Sequence, residues 1–142
     1  MYLIKNIDVY NPKYIGRKDV LISDKIEMIE DHIDTDLFEI IDGHNKILVP
    51  GFIDQHVHIT GGGGEGSFKT KAPEITLSKL TRHGITTVLG LLGTDGISRN
   101  VENLLAKAKA LKEEGISCLI VSGSYQYPPI TITDDIKKDI MF

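Results

Sequence analysis

Apolar positions follow two different rhythms along this chain of 142 residues. Over residues 1–49 they come in short runs separated by turn formers. Tyr2-Leu3-Ile4 and Ile7-Asp8-Val9-Tyr10 read as strand and stop at Asn11-Pro12. Residues 19–22, 25–29, 38–41 and, after Asp42-Gly43, 46–49 continue the pattern. Short apolar runs bounded by Gly, Asn, Asp and Pro predict strands. The first region is therefore expected to be a small β-sandwich-like module, with few strands for a complete sandwich.

From residue 50 the period changes. Residues 51–59 read as a strand, and a glycine-rich loop follows at 61–66. Residues 73–83 are expected to be helical, with Pro73 at the first helical position and Gly84 as the stop. Ile75, Leu77 and Leu80 would form its buried stripe. Residues 85–92 make a strongly apolar strand. Residues 100–114 make a second helix, capped by Asn100 and ended by Gly115, with Val101, Leu104, Leu105, Ala108 and Leu111 on one face. Residues 116–121 are another apolar strand, and 139–142 look like the opening of a fourth.

Strand, helix, strand, helix, strand at roughly thirty residues per unit is the βα rhythm of a parallel sheet. The nearly continuous apolar strands suit a sheet covered on both faces. The expected class is α/β: the small β module at 1–49, then at 50–142 the first three βα units of a (β/α)8 TIM-type barrel. A closed barrel takes roughly 250 residues, so the barrel is expected to be truncated and the chain to be part of a longer product.

Composition narrows the setting. Sixteen basic residues against twenty acidic ones give a net charge of −4, and no basic patch points to nucleic acid or an anionic membrane. A single cysteine, Cys118, excludes an intrachain disulfide. No run approaches the roughly 20 apolar residues of a membrane span. The expected setting is the cytoplasm, with no nucleic-acid and no membrane partner.

The strongest chemical signal is Asp54-Gln55-His56-Val57-His58 at the end of a strand. Side chains at i and i+2 of a strand share a face. His56 and His58 therefore project together, and two neutral imidazoles suit zinc. At the carboxyl end of a barrel strand they would line the active site. The bland alternative is a pair of core or solvent-facing histidines. Glu65, at the tip of the glycine loop, is either an exposed acid or a carboxylate placed for a cationic ligand group. Gly63 and its neighbours let backbone approach that ligand. The glycine run lacks the Gly-Lys-Ser/Thr ending of a phosphate loop. Tyr125 follows the strand at 116–121, either anchoring its loop or donating a hydrogen bond to a developing oxyanion. Thr94 is either a turn residue before Asp95-Gly96 or a substrate contact. His32, His44 and His83 have no partner at ligand spacing.

The run from Val49 through Pro50-Gly51-Phe52-Ile53-Asp54-Gln55-His56-Val57-His58 resembles the opening barrel strand of the amidohydrolase superfamily. The likeness continues through Gly61-Gly62-Gly63-Gly64-Glu65, residues 90–95, 104–107 and 113–117, and Ser122-Gly123-Ser124-Tyr125. These segments are similar to the isoaspartyl dipeptidases within that superfamily, closely over 48–142 and more loosely before. The resemblance implies zinc-dependent hydrolysis of β-aspartyl dipeptides to aspartate and an amino acid. It implies two zinc ions per complete site, with His56 and His58 as metal ligands. Glu65, Gly63 and Thr94 would bind substrate, and Tyr125 would be catalytic. It also implies a homo-oligomer for the full-length protein. The family's carbamylated lysine, two further histidines and proton-transferring aspartate have no counterpart in these residues. The alternatives are a cyclic-amide hydrolase, such as a dihydroorotase or hydantoinase, and a non-catalytic chain that binds or assembles through its β module and open barrel edge.

Overall fold

A computed structural model describes residues 1–141. The chain divides into two compact units, the first Met1–Pro50 and the second beginning at Gly51.

In the first unit, strands β1 (Tyr2–Tyr10), β2 (Tyr14–Ile22) and β3 (Ile26–Glu30) form an antiparallel meander. Strands β4 (Glu39–Asp42) and β5 (Ile47–Leu48) then return to the free edge of β1 and run parallel to it, end to end. All five strands thus add to one mixed sheet. The β-sandwich-like module expected from the sequence is, among the described residues, one sheet rather than two stacked layers. The reason is that β4 and β5 use the hydrogen-bonding edge of β1 rather than stacking on its face.

The core of this unit holds Ile7, Val9 and Val20, with Ile4, Ile22, Ile29 and Leu48 packed on them. Strand residues alternate faces, so Ile4 and Ile7 reach the same core only because a register shift lies between them. Asn6 occupies that bulge at φ 60°. Asp19, 2% exposed, staples it by accepting the Asn6 amide at 2.9 Å and the Ile33 amide at 3.0 Å. Burial pushes the Asp19 carboxyl up. The two amides and the nearby His32 outweigh that and hold it below its ordinary value.

In the second unit, β6 (Phe52–Val57), β7 (Ile85–Gly90) and β8 (Ser117–Ile120) form a parallel sheet in that order. The connections are α1 (Leu77–Thr81) and α2 (Val101–Glu113). The buried face of α2 carries Val101, Leu104, Ala108 and Leu111. These pack with Val57, Ile59, Leu80, Val88, Leu92, Ile116 and Cys118 into one core. The side chain of Asn100 accepts the Asn103 amide at 2.8 Å and caps the helix, as its sequence position predicts. Cys118 is buried while Leu119 is 61% exposed. That alternation belongs to a sheet with one covered face, where the sequence suggested cover on both.

Two elements differ from expectation. The helix expected over 73–83 begins only at Leu77, behind the N-cap residue Thr76. Pro73 is therefore not its first residue. The preceding stretch is held extended because Ala72 donates its amide to Gly62 and Ile75 donates to Ile59. Leu80 is nevertheless buried, and Ile75 and Leu77 pack on the core as expected. The fourth strand expected at 139–142 is not one. Residues Ile136–Asp139 form a short helix, α3, whose cap Asp135 accepts the Lys137 amide, and Met141 follows in a turn. Phe142 lies outside the described residues.

Candidate active site

Parallel strands that end in register bring whatever follows them to one edge. Val57 of β6 is paired with Gly90 of β7, and Gly90 with Ile120 of β8. His58 follows β6, Thr94 follows β7 and Tyr125 follows β8. The carboxyl edge of a parallel sheet is where α/β proteins place their ligands.

His56 and His58 stand as tilted neighbours, with ring centroids 5.4 Å apart and planes at 56°. The His56 side of the strand end is exposed, and its amide donates to the Asp54 carboxylate at 3.1 Å. His58 is half-buried between two glycines. Its Cβ and ring lie within 3.4 Å of where a Cβ on Gly62 would stand. A Cβ on Gly93 would fall 2.2 Å from Cε1 and 2.4 Å from Nδ1. Gly93 runs at φ 76°, a conformation that suits glycine. The Nδ1 of His58 is buried and has no hydrogen-bond partner among the described residues. Buried polar atoms are nearly always satisfied. Two adjacent imidazoles, one with an unpartnered ring nitrogen, therefore fit the nitrogen part of a divalent-metal site. No group of three or more potential ligands gathers among the described residues, so this pair would be part of a ligand set.

Glu65 sits at the tip of the loop after β6, and the hydroxyl of Thr94 donates to its carboxylate. That bond is the chief reason the Glu65 carboxyl is held below its ordinary value, followed by its own backbone amide and the positive fields of His58 and Arg99. Glu65 and Thr94 line a hollow of ≈ 350 Å³ with Gly63, Phe68, Lys71 and Ser98. Gly63 turns its carbonyl toward Arg99 at 3.5 Å. Tyr125 is 75% exposed. It lines a separate hollow of ≈ 170 Å³ together with Gly93 and Ser122. The fold thus brings Glu65 and Thr94 into contact, sets the two histidines side by side and has Tyr125 line the same hollow as Gly93, the glycine packed on His58.

Reading the sequence left out the residues that hold this edge in shape. Arg99 donates to the carbonyls of Thr60, Gly62 and Ala72 at 3.1–3.3 Å, and pairs with Asp95 at 3.2 Å. Asp95 accepts the Ser98 hydroxyl and amide and pairs with Lys71 at 3.0 Å. These contacts hold its carboxyl far below the usual carboxylate range. An arginine and an aspartate four apart in a loop carry no signal by spacing. His32 pairs with Asp19 at 3.3 Å, and the His83 ring meets the Lys79 carbonyl at 2.7 Å. Both serve local structure. Burial pushes the Cys118 thiol up, which suits an inert core residue.

A crystal structure of beta-aspartyl dipeptidase from Fervidobacterium islandicum AW-1, in complex with beta-Asp-Leu dipeptide, matches 98% of this chain at 50% identity and TM-score 0.87. The match covers 37% of that chain. A D-hydantoinase structure from Thermus sp. matches 64% of this chain and 20% of its own at 26% identity and TM-score 0.51. Among curated proteins, the dihydroorotase of Listeria monocytogenes serotype 4a is 38% identical over 119 residues. That alignment covers 80% of this chain and 27% of the relative. The chain thus spans about a quarter of the length of the curated relatives it matches. No described helix is long and apolar enough to cross a membrane. The model of the amidohydrolase family matches residues 47–139, and with the histidine pair at the carboxyl edge of a parallel sheet, this chain belongs to the amidohydrolase family.

Proposed function

We propose that this chain supplies the opening part of a metal-dependent hydrolase that cleaves β-aspartyl dipeptides into aspartate and an amino acid. The observation that carries the proposal is the grouping of the His56–His58 pair, the Glu65–Thr94 pair and Tyr125 after three adjacent strand ends. In this reading the second unit is the first three βα units of a (β/α)8 barrel. Further ligands would come from the rest of that barrel, and the full-length protein would be a homo-oligomer.

His56 and His58 would hold a divalent metal, zinc by the preference of nitrogen donors. When bound, such an ion acidifies water and polarises a carbonyl. The chain's own residues do the positioning. Glu65 is held in place by the Thr94 hydroxyl, and its carboxylate can accept from the free α-ammonium of a β-linked aspartate. An α-linked aspartate presents its amino group differently relative to the scissile bond. Gly63 and Gly64, at φ 70° and 107°, make the turn that presents Glu65. Thr94 would also lie near the substrate carboxylate, its hydroxyl still donating to Glu65. The Tyr125 phenol would donate to the carbonyl oxygen as charge develops there. Water adds hydroxyl to the side-chain carbonyl carbon and a proton to the leaving nitrogen as the C–N bond breaks.

The likeness to dihydroorotase favours one second reading, hydrolysis of a cyclic amide. The deciding measurement is amino-acid release from β-aspartyl-leucine and α-aspartyl-leucine by the full-length, zinc-supplied protein, with dihydroorotate as a third substrate. Selective cleavage of the β-linked peptide is expected. Glu65→Gln should weaken kcat/KM by roughly 10- to 100-fold, the value of one charge-assisted hydrogen bond. His56→Ala should remove activity. Ring opening of dihydroorotate with no peptide cleavage would replace this reading by the second.

A further inference from the structure

Residues 60–72 leave β6, swing outward through Glu65 and return to the start of the stretch before α1. A loop of this kind carries backbone carbonyls that need partners. Four of these carbonyls are met by one side chain. Arg99 reaches in from just before α2, its side chain only 10% exposed. Its Nε donates to Thr60 at 3.1 Å. Its Nη2 donates to Gly62 at 3.1 Å and to Ala72 at 3.3 Å, and Nη1 reaches Gly63 at 3.5 Å. The outgoing and returning limbs of the loop are thus tied to one planar group. The two limbs also meet directly where Ala72 donates its amide to Gly62.

The fit depends on two further residues. A Cβ on Gly61 would lie 2.3 Å from the Ala72 carbonyl and 3.2 Å from the Arg99 Nη2, so a side chain there would push the returning limb away. Asp95 balances the guanidinium charge at 3.2 Å and is itself fixed by Ser98 and Lys71. Asp95 directly follows Thr94, the residue that donates to Glu65. Loop and donor therefore share one support.

We infer that Arg99 is a positioning residue: by binding both limbs of the 60–72 loop it fixes Glu65 against Thr94 at the mouth of the site. It touches no candidate reacting atom. The inference rests on the hydrolase reading for the meaning of Glu65, while the tethering itself stands on the loop geometry. Arginine presents five N–H donors in a rigid fork, whereas lysine has a single nitrogen. Arg99→Lys keeps the charge opposite Asp95 and loses the fork.

The test uses the full-length protein and two readouts. In amide hydrogen exchange, Arg99→Lys should speed exchange at Gly61 and Ala72 by at least about tenfold, the worth of roughly one such bond, while amides of β7 and α2 keep their protection. In peptide hydrolysis the same variant should raise KM by about tenfold or more with a smaller change in kcat, and leave metal content unchanged. Unchanged exchange in the loop of a folded Arg99→Lys protein would overturn the inference. So would a loss of kcat alone. If the lysine variant does not fold, Arg99→Gln, which retains an amide with two N–H donors, carries the same comparison. Loss of protection throughout the unit in both variants would make Arg99 a residue of general stability and also overturn it. Failure of the wild-type protein to cleave any β-aspartyl peptide would sink the hydrolase reading and leave the exchange comparison to decide the tether.

Discussion

At Gly93 the backbone has φ 76°, and its Cα faces the ring of His58 so closely that a methyl group there would overlap Cε1 and Nδ1. Gly93→Ala must therefore move the imidazole as well as strain the chain. The expected cost is about 2–4 kcal/mol of stability, combining a left-handed non-glycine residue with overpacking. The folded fraction should also bind zinc roughly 10- to 100-fold more weakly, because the orientation of one ligand is lost. Denaturant unfolding and metal titration check the two parts separately. A folded variant with unaltered zinc affinity would mean that His58 is not a ligand. The histidine pair was legible from i, i+2 spacing at a strand end. Gly93 was not, because its importance comes from a ring 35 residues earlier in the chain.

Elements after the last strand are held by one carboxylate. Asp139, at the end of α3, accepts the hydroxyls of Ser122 and Thr133 and the amides of Ile132 and Thr133. The two hydroxyls are the main cause of its lowered value, about 2, against an ordinary 3.8. A carboxyl depressed in the folded state contributes stability above its unfolded value and loses it as pH falls through the folded one. The stabilisation from Asp139 should thus be complete above about pH 4 and fade toward about pH 2. Asp139→Asn should lower the melting temperature at pH 6, and the gap to wild type should shrink across that window. A gap that stays constant with pH would rule out the charged form as the source. The sequence suggested a strand here because Ile140, Met141 and Phe142 form an apolar run. The structure instead uses Asp135 and Asp139 to bracket a helical turn, and isolated apolar runs do not distinguish the two.

Taken whole, the chain leaves edges of both its sheets unpaired among the described residues. In the parallel sheet, β6 and β8 each pair only with β7, and Phe52, Ile53 and Leu119 are exposed on these outer strands. Unpaired apolar edges template association. The 142-residue chain should accordingly self-associate in a concentration-dependent way, visible by sedimentation velocity. Leu119→Lys, a charge on an exposed edge position, should shift it toward monomer without loss of helix α2. Association unaffected by that substitution would place the contact elsewhere, on the mixed sheet of the first unit for instance. The relatives are about two and a half to three times as long, and in the barrel reading their remaining strands would cover these edges.

Local chemistry was enough to fix much of this picture. Turn residues separated the strands, the 3.6-residue stripe from Val101 to Leu111 marked α2, and Asn100 and Gly115 marked its ends. The alternating histidines marked the metal-ligand candidates, because strand geometry places i and i+2 together whatever the fold. Tertiary structure decided the rest. It set the start of α1, since Gly62 and Ile59 accept the amides of Ala72 and Ile75 and hold the stretch before it extended. It drew β4 and β5 to one edge of β1 and so made a single sheet. It also assembled the support of the site, where Arg99 meets carbonyls from Thr60 to Ala72. Backbone hydrogen-bond partners far apart in sequence carry no periodicity, so they become visible only when the chain has folded.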